Sequence, residues 1–292
     1  MPSTDRLSNA LNAVVEDLVA LTLSVEVNYW DYSGRGVVVI APNNHWHERT
    51  PTQQHAHLAI MRRYKQIIEL ISVLIKGAPP SLARQLKDSD KHFMTWLELG
   101  SNWSLSTDKK ANEQKIREAA AKLHAVVSVL SAGPREQLIL VPDTNSLLGS
   151  ADPTAYRSIS AQKSFEFLLL PTVLSELDEL KILHRNQEVR DKAKKIITRI
   201  KGWRAQGPLL DGVLVDKTIT VRALHNEPKV ADSLSWLDAD NADDRIIASV
   251  LDIQANSPSA HVILVTGDIN LQNKADAAMI ESAEIDIEPP QQ

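Results

Sequence analysis

Apolar residues recur at helical spacing through roughly the first 130 positions, then give way to short continuous runs. Leu7, Leu11, Val14, Val15, Leu18, Val19 and Leu21 share one helical face. Leu58, Met61, Ile67, Ile68, Ile71, Leu74 and Ile75 mark a second helix, stopped by Gly77-Ala78-Pro79-Pro80. A third is predicted over Ser81 to Leu99. A fourth, alanine-rich, runs from Lys109 to Leu130 and ends at Ser131-Ala132-Gly133-Pro134. The stretch 28–52 between the first two is irregular, with Gly34-Arg35-Gly36 and a strand-like Val37-Val38-Val39-Ile40.

From Arg135 the pattern becomes strand–helix alternation, which predicts a parallel sheet with helices on its faces. The strands are placed at Leu138–Val141, Phe167–Leu170, Thr218–Leu224, Val262–Thr266 and a short Glu284–Ile287. The helices are placed at Val173–Asn186 running on into Val189–Arg204, then Asn241–Asn256 and Asn270–Ser282. The expected fold is therefore α/β: residues 1–134 form a mostly α-helical accessory domain, and residues 135–292 form the parallel-sheet domain.

Composition changes this picture chiefly by exclusion. With no cysteine, disulfides, thiolate zinc sites and cysteine nucleophiles are ruled out. No apolar run nears the roughly 20 residues a membrane helix needs, and the polar, acidic start is not that of a signal peptide, so a cytoplasmic protein is expected. A net charge of −5 does not announce a nucleic-acid binder, but charge is unevenly spread. Nine Lys/Arg lie between Lys181 and Arg204, against the acids Glu188 and Asp191. Such a segment is either a solvated helix face or a phosphate-tracking patch. The candidates to hold a nucleic-acid backbone are Lys181, Arg185, Arg190, Lys194 and Lys195.

The acids supply the candidate chemistry. Asp143 follows the first predicted strand, and Asp268 follows the fourth after Thr266-Gly267, where the glycine is expected to permit a sharp turn. Glu176 lies one turn inside the helix opened by Pro171 and Thr172; Asp243 and Asp244 open the next. In open α/β sheets ligands bind beyond the carboxyl ends of the strands, so these acids should face one crevice. Clustered carboxylates repel unless a cation neutralises them. Oxygen donors without cysteine favour Mg2+ or Mn2+ over zinc. Each acid also has a simpler reading: Asp143 as a helix cap, Asp243 and Asp244 as residues favoured by the helix dipole. Asn145 in place of a second aspartate excludes the haloacid-dehalogenase phosphatase pattern, and no acidic pair of a response-regulator receiver precedes Asp143.

Val-Pro-Asp-Thr-Asn at 141–145, Pro-Thr-Val-Leu-Ser-Glu-Leu-Asp-Glu-Leu-Lys at 171–181, Asp-Asp-Arg-Ile-Ile-Ala at 243–248 and Leu-Val-Thr-Gly-Asp-Ile-Asn-Leu at 264–271 occur in that order. In these motifs residues 137–288 resemble a PIN domain, a metal-dependent nuclease fold, and look closest to the branch containing the nonsense-decay endonucleases. The resemblance implies that Asp143, Glu176, Asp244 and Asp268 form the catalytic, metal-ligating set, with Asp243 a further ligand candidate. It implies support from Asn145 and Thr266, and hydrolysis of phosphodiester bonds in single-stranded RNA with Mg2+ or Mn2+. The register Asp-x-x-Ile-Ala favours Asp244 over Asp243. Two other functions stay open: a catalytically silent PIN-fold module that binds nucleic acid or protein, and a structure-specific DNA nuclease.

The N-terminal half resembles no family and is assigned to regulation, partner binding or self-association. Its local oddities are His45, His47, His55 and His57, read as loop histidines rather than a zinc site, and Tyr29-Trp30-Asp31-Tyr32 with Trp46. These aromatics are read as buried or at a protein interface in preference to base stacking.

Overall fold

The computed structural model describes residues 3–31, 41–100, 102–130 and 137–285. The strand-like Val37-Val38-Val39-Ile40 and the Gly133-Pro134 junction lie outside these residues. The chain divides into two compact units, one spanning Thr4–Ser131 and the other Ala132–Gln292.

The first unit is helical. Its elements are α1 (Ser3–Ser24), a two-stranded antiparallel hairpin of β1 (Val27–Tyr29) and β2 (Asn44–Trp46), α2 (Pro51–Leu74), α3 (Pro80–Leu97) and α4 (Lys109–Leu130). The apolar stripe of α1 is buried from Leu7 to Val25, and Ile60, Tyr64, Ile67 and Ile71 of α2 are buried likewise. Helix α2 starts well before Leu58. Thr50 and Gln53 form a reciprocal capping box, and Pro51 occupies the first turn where its missing N–H costs nothing. Polar ties join the helices: Arg117 of α4 reaches Glu16 of α1 (2.5 Å), and Arg63 of α2 reaches Asp17 (2.5 Å).

The second unit is a six-stranded sheet with strand order β5-β6-β4-β3-β7-β8. The strands are β3 (Gln137–Pro142), β4 (Phe165–Leu169), β5 (Val213–Asp216), β6 (Ile219–Ala223), β7 (Ala260–Val265) and β8 (Glu281–Ala283). All neighbours run parallel except β5, which pairs antiparallel with β6. Burial on both faces explains the apolar runs Leu138–Val141 in β3, Phe167–Leu169 in β4 and Val262–Val265 in β7. The helices are α5 (Thr144–Gly149), α6 (Pro171–Leu183), α7 (Gln187–Arg204), α8 (Ala242–Asn256) and α9 (Ile269–Ala277).

Three expectations need correction here. The helix placed across 173–204 is two helices, because His184 leaves the helical region and Asn186 caps a new start with its side chain on Glu188 N–H. Helix α9 ends at Ala277 rather than Ser282: Met279 has φ +56, and the chain turns there into β8. Strand β5 goes unseen in the apolar pattern, since an edge strand of four residues carries little periodicity.

From β3 the chain moves one way through β4 to β6, then returns to the other side of β3 to form β7 and β8. The carboxyl ends of β3 and β7 therefore flank the point where the winding reverses, the place where such sheets open a crevice.

Candidate active site

Asp143 directly follows β3, in register with Thr266 after β7. Its N–H donates to Val265 O (3.0 Å), its Oδ1 accepts from Ser146 N–H (2.7 Å), and its Oδ2 accepts from the Thr266 hydroxyl (2.6 Å). The same Thr266 oxygen accepts from Asp268 N–H (3.0 Å), so one buried threonine couples the two strand-end aspartates. Asp268 Oδ1 in turn accepts from Asn270 N–H (2.7 Å) and Leu271 N–H (3.3 Å). Both aspartates thus cap helices, α5 and α9 respectively. A carboxylate offers about four lone-pair sites, so capping leaves each with acceptor capacity.

Gly267 is not needed for backbone freedom, because its φ is not left-handed. A Cβ there would instead meet Glu284 Oε1 at 3.0 Å, so the missing side chain makes room for a neighbour.

Glu176 lies in α6, with its Oε2 accepting from the Thr144 hydroxyl. Burial holds its pKa above the ordinary carboxylate value, and the negative charges of Asp243 and Asp143 push the same way against the Thr144 hydrogen bond and Arg245. Glu176 therefore senses two other members of the predicted set.

At the start of α8, Asn241 Oδ1 accepts from Asp243 N–H (2.9 Å) and Asp244 N–H (3.4 Å). The two aspartates then diverge. Asp243 lines the cavity that also holds Asp143, Glu176 and Asp268. Asp244 does not line it. Asp244 is buried, its Oδ2 accepts from Asp238 N–H (2.9 Å), and its Oδ1 lies 2.8 Å from Lys274 Nζ. Asp244, favoured by the sequence register, thus lies outside the cavity lining and Asp243 within it: successive helical residues point about 100° apart, and Asp244 supports the loop before α8. Lys274, absent from the sequence reading, also lies 3.3 Å from Asp243 Oδ2 and 3.3 Å from Asn241 Oδ1. Thr144, the partner of Glu176, was missed too; nothing in Asp-Thr-Asn marks that threonine as a bridge.

The cavity is about 480 Å³ and is lined also by Asn145, Glu179, Leu180, Leu183, His184, Ile246 and Leu271. Asn145 is exposed at its wall, while Thr266 acts from behind. Among the described residues no three carboxylates or imidazoles stand as a ready-made metal cage. The donor chemistry nevertheless suits a hard divalent cation: the carboxylates of Asp143, Glu176, Asp243 and Asp268 share the cavity with a fifth, Glu179, no cysteine competes, and no lysine or arginine lines it.

The basic segment lies outside this lining. Lys181 pairs with Asp178, Lys192 with Glu188 (3.0 Å) and Lys194 with Asp191 (3.5 Å). The Arg190 guanidinium donates to His184 O, Arg185 O and Gln187 Oε1, closing the α6–α7 connection. Arg185 and Lys195 have no ion-pair partner among the described residues. The histidines of the first unit do not converge. His47 meets Glu48 O (3.0 Å), His57 meets Leu97 O (2.6 Å), and His45 packs on Trp30. Tyr29 and Trp30, read as buried or at a protein interface, are 62% and 54% exposed, which excludes burial and leaves the interface.

A family model of the PIN domain matches residues 140–286, half of the chain, and covers the sheet except for the first three residues of β3, together with every cavity carboxylate. The chain belongs to the PIN-domain family. No curated protein matches it, and no family match falls on the N-terminal half. The PIN domain is a nuclease-type fold whose members commonly cut nucleic acid and typically use divalent metal ions, although some are inactive. No helix among the described residues is long and apolar enough to cross a membrane.

Proposed function

We propose that the PIN unit is a metal-dependent endoribonuclease acting on single-stranded RNA. The observation that carries this reading is the shared cavity of Asp143, Glu176, Asp243 and Asp268, where burial, and after it the charges of Asp243 and Asp143, raise the pKa of Glu176. These four carboxylates would hold Mg2+ or Mn2+. Such a cation, when bound, supplies Lewis-acid activation of water and offsets charge at a phosphate. Thr266 fixes Asp143 and the Asp268 backbone together, Thr144 orients Glu176, and Asn145 offers a polar group at the rim. Lys181, Arg185, Lys194 and Lys195 would hold the substrate backbone. Exposed ion pairs are worth little, so phosphates can displace Asp178 and Asp191 from their lysines. The choice of RNA over DNA rests on the family resemblance alone. Through its exposed Tyr29, Trp30 and Trp103, the helical unit would serve regulation, partner binding or self-association in a cytoplasmic protein.

A second reading, a silent binding module, draws on Lys274, which already offsets charge on Asp243 and Asp244. End-labelled single-stranded RNA, single-stranded DNA and duplex, incubated with Mn2+, Mg2+ or chelator, decide between them. Cation-dependent internal cleavage of RNA that Asp143→Asn abolishes supports the nuclease; cation-dependent binding without cleavage supports the silent module.

A further inference from the structure

Helix α6 carries more than Glu176 into the cavity. Leu180 and Leu183 follow at intervals of four and three residues, so they extend the same helical face, and His184 lines the cavity just past the helix end. At 1.5 Å rise per residue, Leu183 lies ~10 Å along the axis from Glu176. Ile246 of α8 and Leu271 of α9, at 2% and 1% exposure, lie beneath Leu180 and Leu183 as the apolar floor of the cavity that holds the carboxylates. Leu183 is 75% exposed and the adjacent Ile182 67% exposed.

This apolar surface is the wrong chemistry for a phosphate or a sugar, whose polar groups would lose water without gaining partners. It suits a flat, mostly apolar ring. Every nucleobase offers such a face, but in a duplex that face is stacked away unless the nucleotide is flipped out. The cavity volume falls within the range of small-ligand sites. Its aliphatic side chains carry no hydrogen-bonding groups with which to tell one base edge from another.

We propose that Leu180, Leu183, Ile246 and Leu271 form a subsite for one unpaired nucleobase, placed beside the carboxylates so that only a single strand can present base and phosphate together. The position of the phosphate rests on the nuclease reading; the base subsite does not depend on cleavage. Its occupancy is sequence-tolerant, and it makes the strand's unpaired state the feature that the site reads.

The test uses the full chain, a single-stranded RNA of fixed sequence, and the same strand with one abasic residue walked through each position. Binding is measured in Ca2+, and cleavage in Mn2+. Leu183→Ser is the variant of choice because an exposed side chain can change without disturbing the core; circular dichroism and Mn2+ binding should match wild type. Leu183→Ser is expected to weaken binding about tenfold, as loss of one aliphatic contact surface would. An abasic residue at one position should cause a similar loss in wild type and no further loss in Leu183→Ser. The annealed duplex should bind wild type no better than the single strand binds the variant. If no abasic position matters, or Leu183→Ser binds the intact strand like wild type, the base subsite is wrong even where cleavage proceeds. If the abasic and Leu183→Ser losses appear without any cleavage in Mn2+, the subsite stands and the nuclease reading falls.

Discussion

The two units bury polar groups for different ends. In the helical unit the buried polar side chains are neutral, and two are answered locally: Thr22 donates to Val19 O (2.9 Å), and Asn112 exchanges bonds with the Ser106 backbone (2.7 and 2.9 Å). In the PIN unit two aspartates are buried, Asp143 and Asp244, at the crevice where the sheet's winding reverses and at the helix beside it. Neutral polar groups of the first kind stabilise a fold. Buried like charges oppose folding and persist where a cation or a substrate repays them. The same chain thus separates polar burial that builds structure from polar burial that builds a site.

Asp143→Asn should have the largest effect. Asparagine caps a helix about as well as aspartate, so Ser146 N–H keeps its acceptor and the fold should hold or become slightly steadier. Cleavage in Mn2+ should fall by at least about a hundredfold, because a charged ligand and the repulsion only a cation relieves are both lost. Wild-type cleavage by the purified variant would remove this cavity from the chemistry. Asn112→Ala is the opposite experiment. It should leave the intrinsic cleavage rate alone and cost about 2 kcal/mol, two buried hydrogen bonds being lost. Hydrogen exchange should quicken within residues 4–131 only, since local stability follows cooperative units. Equal quickening across the PIN unit would mean that the two share one core. Limited proteolysis offers the same distinction, with cuts expected near Gly133-Pro134 or inside residues 28–52.

Lys274→Met tests whether the charge in the PIN unit is compensated from within. The ammonium touches Asn241, Asp243 and Asp244, and desolvation works against its raised pKa while both aspartates favour it. Its side chain is a quarter exposed, so the loss should be modest, about 1 kcal/mol in chelator. Mn2+ should then stabilise the variant more than wild type. An equal Mn2+ effect on both would mean that Lys274 and the cation do not share these acids. Smaller again is the consequence of Lys194→Glu with Lys195→Glu. Binding to single-stranded RNA should weaken several-fold at low salt, with the slope of log affinity against log salt reduced by about 1.4, while Mn2+ binding stays unchanged. An unaltered slope would make α7 a solvated face.

What could be read from sequence follows the same division. The central strands were legible to within two or three residues, because burial on both faces leaves Leu138–Val141, Phe167–Leu169 and Val262–Val265 as continuous apolar runs. Helix α4 was legible to the residue, its alanine-rich stripe running from Lys109 to the Ser131-Ala132-Gly133-Pro134 stop. The strand-end acids were legible as candidates because topology sends strand ends to one crevice. What periodicity could not supply was orientation. Asp243 and Asp244 are chemically identical neighbours, and only the direction of the first turn of α8 decides which faces the cavity. Lys274 was invisible for a related reason: it lies 30 residues from Asp244 in sequence and meets it only through the crossing of α8 and α9. That Arg190 also closes the end of α6 was hidden as well, because a charge run does not show which of its members bonds a helix end.

The finest distinction concerns pH. Burial, with Asp243 and Asp143 behind it, raises the pKa of Glu176 from an ordinary 4.5. Without a cation the folded chain therefore holds this proton more tightly than the unfolded chain does. Stability depends on pH through the difference in bound protons, and a native state that binds more of them loses stability as pH rises. The window opens near the ordinary value and closes above the raised one. Glu176→Gln carries no charge through that window and can still accept from the Thr144 hydroxyl. Urea unfolding in chelator should show Glu176→Gln and wild type equally stable below about pH 4. The variant should pull ahead as pH climbs, reaching a plateau above the raised value. Adding Mn2+ at neutral pH should reverse the order, because the cation favours the charged glutamate and has less to hold in the amide. If the variant's advantage is flat across pH, Glu176 is not strained by its neighbours, and the contrast between the charged site and the neutral helical core loses its clearest thermodynamic signature.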